Sequence, residues 1–511
     1  MTRGAGGRTS AVMASSVPAF RRASQGTRAA LAALALLTAV RLAVAAVTPL
    51  SPDETYYWIW SRVLQGSYLD GPPMVALWIR IGTAIAGTSP LGIRLLGPLS
   101  GALGSVLLWH AAERLLPGRR AGLIAAGLLN ASLLFGVGTV IMTPDTPLLF
   151  FWVACLWALA GFSRDGNGWW LIAAGMLAAA AFDSKYTGAF LLPGAALWLL
   201  LVPRLRPTWR SPPLYFGLVW GVQWIVPVVQ WNRAHHWVGL FKQGGRLAHW
   251  HPEQAPRFLG ELVATQFGLA TPLVFVLCVA GVVLATREAW ARRDPAFTLL
   301  AMMTLPATAV FVQHCFAGRV QGNWPAVIYP AAAIAAAAVD GLGWRRLIRP
   351  AVGLGLAITA LAYLQATTGV LPLPARRDPT ALKLAGWGGL ARAVAAERAA
   401  TGATFVAAGD YDLASELALH LPPKVLMIGV EPRWAWFDLP RPVLTGQTGL
   451  LVRSLRRSGP PAGGPWAQVQ PLGTIWRRRG AARVEGFRLF RVVARPSPIP
   501  ERILPRPGMG R

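Results

Sequence analysis

Apolar runs of Ala, Leu, Val, Gly and Trp recur from residue 29 to about residue 371, many of them near the ~20 residues that cross a bilayer. Inside hydrocarbon, backbone amides must find partners within their own segment. Solid apolar runs, unlike the alternation of a membrane barrel, therefore admit only helices. The expected fold is an all-α polytopic membrane protein with about 11 transmembrane helices, one for each run of bilayer length. The expected spans are approximately 29–49, 91–113, 121–141, 146–162, 169–182, 187–203, 213–231, 268–286, 296–313, 324–342 and 350–371. The chain is 54% hydrophobic and 14% charged, where soluble proteins average about 25% charged.

The net charge of +28 would suggest nucleic acid in a soluble chain. Here the arginines fall in short connectors, where they set orientation and meet anionic lipid, so no nucleic-acid partner is expected. Residues 1–28 read as a disordered basic cytoplasmic arm before an uncleaved first span. With the N-terminus inside, alternation puts the connectors at Arg114–Arg120, Arg164, Arg204–Arg210, Arg287–Arg293 and Arg345–Arg349 on the cytoplasmic side. It places 50–90, 142–145, 183–186, 232–267 and 314–323 outside. These hold Asp53, Glu54, Asp70, Asp145, Asp183, Lys185, a histidine cluster, Glu261 and Arg319. Chemistry-capable side chains and orienting arginines thus segregate to opposite faces. Two shorter segments, 74–87 and 252–266, suit amphipathic helices lying in the outer interface. Cys155, Cys278 and Cys315 are too far apart to suggest a disulfide framework or a zinc cluster.

Beyond residue 372 no run of membrane length follows. Short strand-like runs at Thr404–Ala408 and Lys424–Val430 alternate with helix-like stretches at 381–400 and 414–419. They predict a small extracytoplasmic α/β domain over 372–490, followed by a basic, proline-rich tail over 491–511.

With 21 Asp and Glu in 511 residues, three acids in the loop 50–90 require a reason. Asp53 and Glu54 are adjacent, so on a helix they diverge by about 100° and cannot form a symmetric carboxylate pair. One can serve as a base or charge partner while the other orients it; Asp53 could instead cap the helix that follows. Asp145, between prolines, reads as a helix cap or as an engaged acid on the same face as Asp53. Lys185 runs against the orientation bias. A phosphate ligand explains it, and so does a local pair with Asp183. The segment Gln230–His251 holds four of the seven histidines without the spacing of a tight metal site, and its aromatics and cations suit a phosphorylated sugar. Gly318–Pro325 supplies Arg319, Asn323 and Trp324 in a similar loop, with an aromatic belt as the competing explanation for both.

Several stretches taken together resemble the bacterial branch of the family-39, GT-C-type membrane glycosyltransferases, the group of protein O-mannosyltransferases and aminoarabinose transferases. They are Ser51–Trp58, Tyr68–Pro73, Thr143–Trp152, Ser184–Gly188, Pro227–Asn232 with Phe241–Arg246, Asn323–Ala326 and Asp410–Ala418, in family order. The resemblance implies that residues 29–371 form a transmembrane glycosyltransferase domain with its active site in loop 50–90, in a bacterial inner membrane. It further implies an inverting enzyme of cell-envelope glycosylation that takes a hexose or pentose from a polyprenyl-phosphate donor to an extracytoplasmic glycan, lipid or protein. By position Asp53 matches the catalytic acid, Lys185 and Arg246 the lipid-phosphate contacts, and Trp324 a donor contact. Asp70 sits where aminoarabinose transferases carry an acidic and a basic residue before proline; here Gly71 replaces the second. A divalent cation is the one cofactor left open. A transporter or flippase of lipid-linked sugars is the rival, and it predicts ionisable side chains near the bilayer midplane.

Overall fold

The computed structural model describes residues 25–245, 250–459, 461, 465–496 and 501–508. All eleven expected apolar stretches are helical. Among the described residues seven helices are long and apolar enough to cross a membrane: Gly26–Val47, Pro90–Leu115, Asp145–Asp165, Pro212–Ala234, Pro272–Arg292, Pro295–His314 and Gly343–Thr368. The other four stretches are shorter or broken, each for a local reason. Ser132 accepts the Phe135 amide at 3.2 Å and starts a new helix, splitting 121–141 into Ala121–Ala131 and Leu133–Gly138. Trp169–Ser184 has only 16 residues. The run from Tyr186 to Leu201 bends by 117° into Pro203–Arg210. Trp324–Ile328 is a 3-10 turn ahead of Tyr329–Ala336. Small residues let the short helices pack closely: a Cβ on Gly175 would lie 2.4 Å from the Gly217 backbone of the Pro212–Ala234 helix.

Connectors rich in arginine meet at one end of the bundle, where Arg119 and Arg345 both pair with Asp340, at 2.8 and 2.9 Å. At the other end, the helix Met74–Ala86 buries Met74, Val75, Trp78 and Ile79 and exposes Leu77, Ile81 and Ile85 at four-residue spacing, as an interfacial helix should.

The C-terminal domain is α/β, with six strands: β1 Phe405–Ala408, β2 Leu426–Gly429, β3 Thr448–Ser454, β4 Trp466–Arg479, β5 Ala482–Ala494 and β6 Arg502–Ile503. Their order is β4-β5-β3-β1-β2-β6. The centre is parallel, β3-β1-β2, and the remaining pairings are antiparallel. The helices Trp387–Ala400 and Tyr411–His420 contribute Leu390, Val394, Leu413 and Leu417 to the core on one face. A tail separate from the domain after residue 490 is not what forms. β5 runs on to Ala494, β6 pairs with β2, and Arg506 donates to the carbonyls of Leu417, Leu421 and Pro422, fastening the end of the chain to the helix.

The aromatics of 51–73 do not form a headgroup belt. Trp58 and Trp60 are fully buried, and Tyr56 and Tyr68 share one core with Leu413, Trp434 and Phe437 of the C-terminal domain. The first loop is therefore held between the membrane helices and the sheet.

Candidate active site

Ser51 and Glu54 set the phase of the helix Pro52–Arg62. The Ser51 amide and hydroxyl donate to Glu54 Oε2 at 2.9 and 3.0 Å, a capping box, with Pro52 in the first turn. Arg94 then grips Glu54 with Nε on Oε1 at 2.6 Å and Nη2 on Oε2 at 2.7 Å, and the Met142 amide donates to Oε1 at 3.0 Å. Burial alone would raise this carboxyl, but Arg94 and the two backbone donors outweigh it and hold it below the usual range. Glu54 is 0% exposed and lies off the cavity wall. A catalytic role for it is corrected to a structural one: both oxygens are occupied, and no substrate reaches them.

One residue back, Asp53 faces a cavity of about 960 Å³. No hydrogen bond or ion pair to its carboxylate exists among the described residues. Burial is the main cause that pushes its pKa up; Glu54 and Asp70 add to the rise, and Lys383 and Arg433 oppose it.

The cavity's other acids are engaged. Asp70 takes Lys242 Nζ at 2.6 Å, Arg433 Nη1 at 2.7 Å and the Tyr56 hydroxyl at 2.8 Å. Asp145 takes Lys185 Nζ at 2.7 Å and the Asn323 amide at 2.7 Å. Lys185 thus pairs across to Asp145, while the buried Asp183 lies off the wall. Trp324 lines the cavity and meets His314 edge to face at 5.3 Å. Of the seven candidates, Asp53, Asp70, Asp145, Lys185 and Trp324 come together on this wall. Glu54 stands behind it, and Arg246 lies outside the described residues. Leu133, Leu134, Val137, Phe190, Val310 and Phe311 give the cavity an extended apolar side.

Sequence reasoning missed Arg433 and Tyr411, which the C-terminal domain contributes, and did not single out Lys242. Arg433 lies over the Tyr411 ring at 3.8 Å and is steadied by Glu431 at 3.1 Å. The available signal was position: Arg433 follows a strand-like run in a proline-marked loop, and such loops carry function. Among the described residues the histidines do not converge. His235 stacks on Trp231 at 4.1 Å and His251 sits beside Glu253. Among the described residues no group of three His, Cys, Asp or Glu is arranged to hold a metal ion, and the engaged cavity acids each face a cation.

Residues 70–231 match the family described as dolichyl-phosphate-mannose-protein mannosyltransferase (PMT_2). The lipid A galacturonosyltransferase RgtD of Rhizobium johnstonii is 29% identical over 316 residues, 61% of this chain. The match spans 64% of that relative's length, a little under two thirds. Two crystal structures of ArnT from Cupriavidus metallidurans share the fold. The one bound to undecaprenyl phosphate has a TM-score of 0.62 over 92% of this chain and 98% of its own, at 17% identity. The apo form has a TM-score of 0.58 over 91% and 98%, also at 17% identity. The PMT_2 match, the RgtD likeness and the ArnT-like fold agree with one another, and together they support a membrane glycosyltransferase of the GT-C type.

Proposed function

We propose that this multi-pass membrane protein is an inverting glycosyltransferase. It moves a sugar from a polyprenyl-phosphate donor to lipid A or a similar acceptor at the outer face of a bacterial cytoplasmic membrane, with its N-terminus inside and its C-terminal domain outside. The observation that carries this reading is the company of Asp53: an unpartnered carboxylate shares one cavity with Lys185, Lys242, Arg433 and a long apolar wall. That combination suits a lipid tail, a phosphate and a hydroxyl acceptor at once. The RgtD match supports the acceptor class, and an ArnT that binds undecaprenyl phosphate supports the donor class.

In the proposed reaction Asp53 takes the proton of the acceptor hydroxyl as that oxygen bonds to the anomeric carbon. The bond from that carbon to the phosphate oxygen breaks, and polyprenyl phosphate leaves with the electron pair. Cations fixed beside the departing phosphate act more strongly on the transition state, where its charge grows, than on the bound donor. In this state Asp70 and Asp145 hold those cations, so the donor phosphate enters sites that are already shaped and neutralised. Glu54 and Arg94 fix the angle at which Asp53 meets the acceptor.

The test is incubation of the purified protein with radiolabelled polyprenyl-phosphate sugars and lipid A. Transfer of label to lipid A supports the proposal. Movement of label across liposomes without consumption of donor would replace it with the flippase reading. That rival gains one observation, Arg41, which is fully buried within the first span and donates to Asn130 at 2.9 Å.

A further inference from the structure

The parallel strands β3, β1 and β2 end side by side, and the loops after two of them build the cavity wall: Tyr411 follows β1 and Arg433 follows β2. The carboxyl ends of parallel strands form the crevice where open α/β sheets receive ligands. The third strand of the set, β3, carries Arg453 near its carboxyl end and leads to Arg456 and Arg457. Arg457 pairs with Asp410, the residue next to Tyr411, so this end of β3 is joined to the rim of the cavity.

The charges there are not balanced. Arg453 stands directly opposite Arg488 in the β3–β5 ladder, and like charges in that position destabilise a sheet. Arg453 spends one donor on the Gly459 carbonyl and Arg488 one on the Arg457 carbonyl, while Arg488 Nε is buried without a partner. Among the described residues the Asp410 carboxylate is bonded to Arg457 alone, and Glu485 is taken by Arg456, Arg477 and Ser454. Burial and the neighbouring Arg457 and Arg488 make Arg453 a weaker base than usual, with Asp410 opposing.

We propose that Arg453, Arg457 and Arg488 form a docking subsite for a phosphate group on the acceptor glycolipid, at the cavity rim and separate from the donor phosphate site. A phosphate dianion offers acceptor oxygens for several guanidinium groups at once and cancels the cross-strand repulsion. The subsite rests on the glycosyltransferase reading, and it sets acceptor choice rather than chemistry. Binding at the rim holds an acceptor hydroxyl toward Asp53.

The experiment uses the full chain in phosphatidylcholine nanodiscs, titrated with phosphorylated lipid A and with the same lipid A after removal of its phosphates, no donor being present. The phosphorylated form is expected to bind at least about ten-fold tighter, as a charge-assisted set of hydrogen bonds requires. Arg453→Gln with Arg488→Gln should abolish the preference, and Arg453→Lys with Arg488→Lys should keep part of it. Equal binding of the two lipid forms to the unaltered chain overturns the proposal. So does a folded glutamine variant that retains the preference; if that variant does not fold, the unaltered chain and the lysine variant decide. Phosphatidylglycerol in the discs separates an acceptor phosphate from bulk leaflet charge: a preference that disappears there means the patch reads the membrane surface, and the docking assignment falls. Because binding is read without donor, failure of sugar transfer and failure of this subsite are distinguishable.

Discussion

Asp53 and Glu54 are neighbours in the chain with opposite environments, and substitution should separate them. Asp53→Asn removes the base and leaves its shape, so transfer should fall by about a hundred-fold to ten-thousand-fold while the fold and donor binding persist. Turnover assays beside thermal unfolding check this, and near-normal turnover would take Asp53 out of the role. The pH profile gives a second check. Burial raises the Asp53 carboxyl above its ordinary 3.8, and the base acts only when ionised. The acid limb of kcat/KM should therefore lie above that value, activity falling as pH drops through it, and Asp53→Asn should lose the limb from whatever activity remains. Glu54→Ala is predicted to act on stability instead. It leaves the Arg94 guanidinium, which is 0% exposed, without its counter-ion and with only the Ala45, Thr48 and Pro49 carbonyls and the Thr48 hydroxyl as partners, at a cost of about 3–5 kcal/mol. Adding Arg94→Met removes the uncompensated charge and should restore a part of the loss in Tm, the amides of Ser51 and Met142 and the carbonyls of Ala45, Thr48 and Pro49 staying unpaired; no fall in Tm for the single variant would refute the account. The acids themselves could be found in the sequence because acids are so few. Which of the two faces the cavity could not: adjacency fixes the angle between them, and Arg94, forty residues away in sequence, fixes the phase.

At the scale of elements, the helices Pro52–Arg62 and Tyr411–His420 pack against each other and make the site a joint product of membrane bundle and sheet. Arg433 tests that partnership. Arg433→Ala should lower kcat/KM by about ten-fold or more with little change in Tm, and Arg433→Lys should rescue poorly, because an ammonium cannot both stack on Tyr411 and hold Asp70 as a planar guanidinium does. Full rescue by lysine would reduce the role to charge alone. The same helix pair carries a pH effect through Glu416, which is 1% exposed and has His420 Nδ1 3.3 Å from Oε2 and the Thr55 hydroxyl as its polar neighbours. Burial pushes its carboxyl well above the ordinary 4.5, Glu54 and Asp412 adding to the rise and Arg477 opposing it. The folded chain then keeps a proton that the unfolded chain releases, so stability should decline as pH climbs from about 4.5 toward the raised value. Glu416→Gln should flatten that decline in Tm measured against pH. β1, β2 and the helices before and between them were legible because their apolar periods are plain. The β4–β5 hairpin was not: most of β4 is exposed, so no buried face imposes an alternation on its sequence. The broken spans were equally hidden, since a capping serine such as Ser132 interrupts a helix without interrupting its hydropathy.

For the whole molecule, the decisive property is that the cavity-lining charges and the arginine-rich connectors occupy opposite ends of the helices. The helix Leu96–Leu115 shows the polarity: at its start Arg94 holds Glu54 behind the cavity, and its last turn carries Arg114 toward the connector where Arg119 meets Asp340. Five residues from four separate connectors, Asp53 and Asp70 in the first and then Asp145, Lys185 and Asn323, line one cavity, which requires all of them to emerge on one side of the bilayer. Their chain order alone implied this, because each is separated from the next by an even number of expected spans or none. Which side that is follows from the arginine bias and is a prediction. Cys155, Cys278 and Cys315 are all buried, so single introduced cysteines can be read against a quiet background. Glu253→Cys, on the cavity side, should react with a membrane-impermeant maleimide in intact spheroplasts; Asn167→Cys, in the connector after Arg164, should react only once the membrane is opened. Reversed labelling would turn the cavity toward the cytoplasm and away from any outer-leaflet acceptor. Labelling of both from outside would place the two connectors on one side and dissolve the span alternation on which the shared cavity depends.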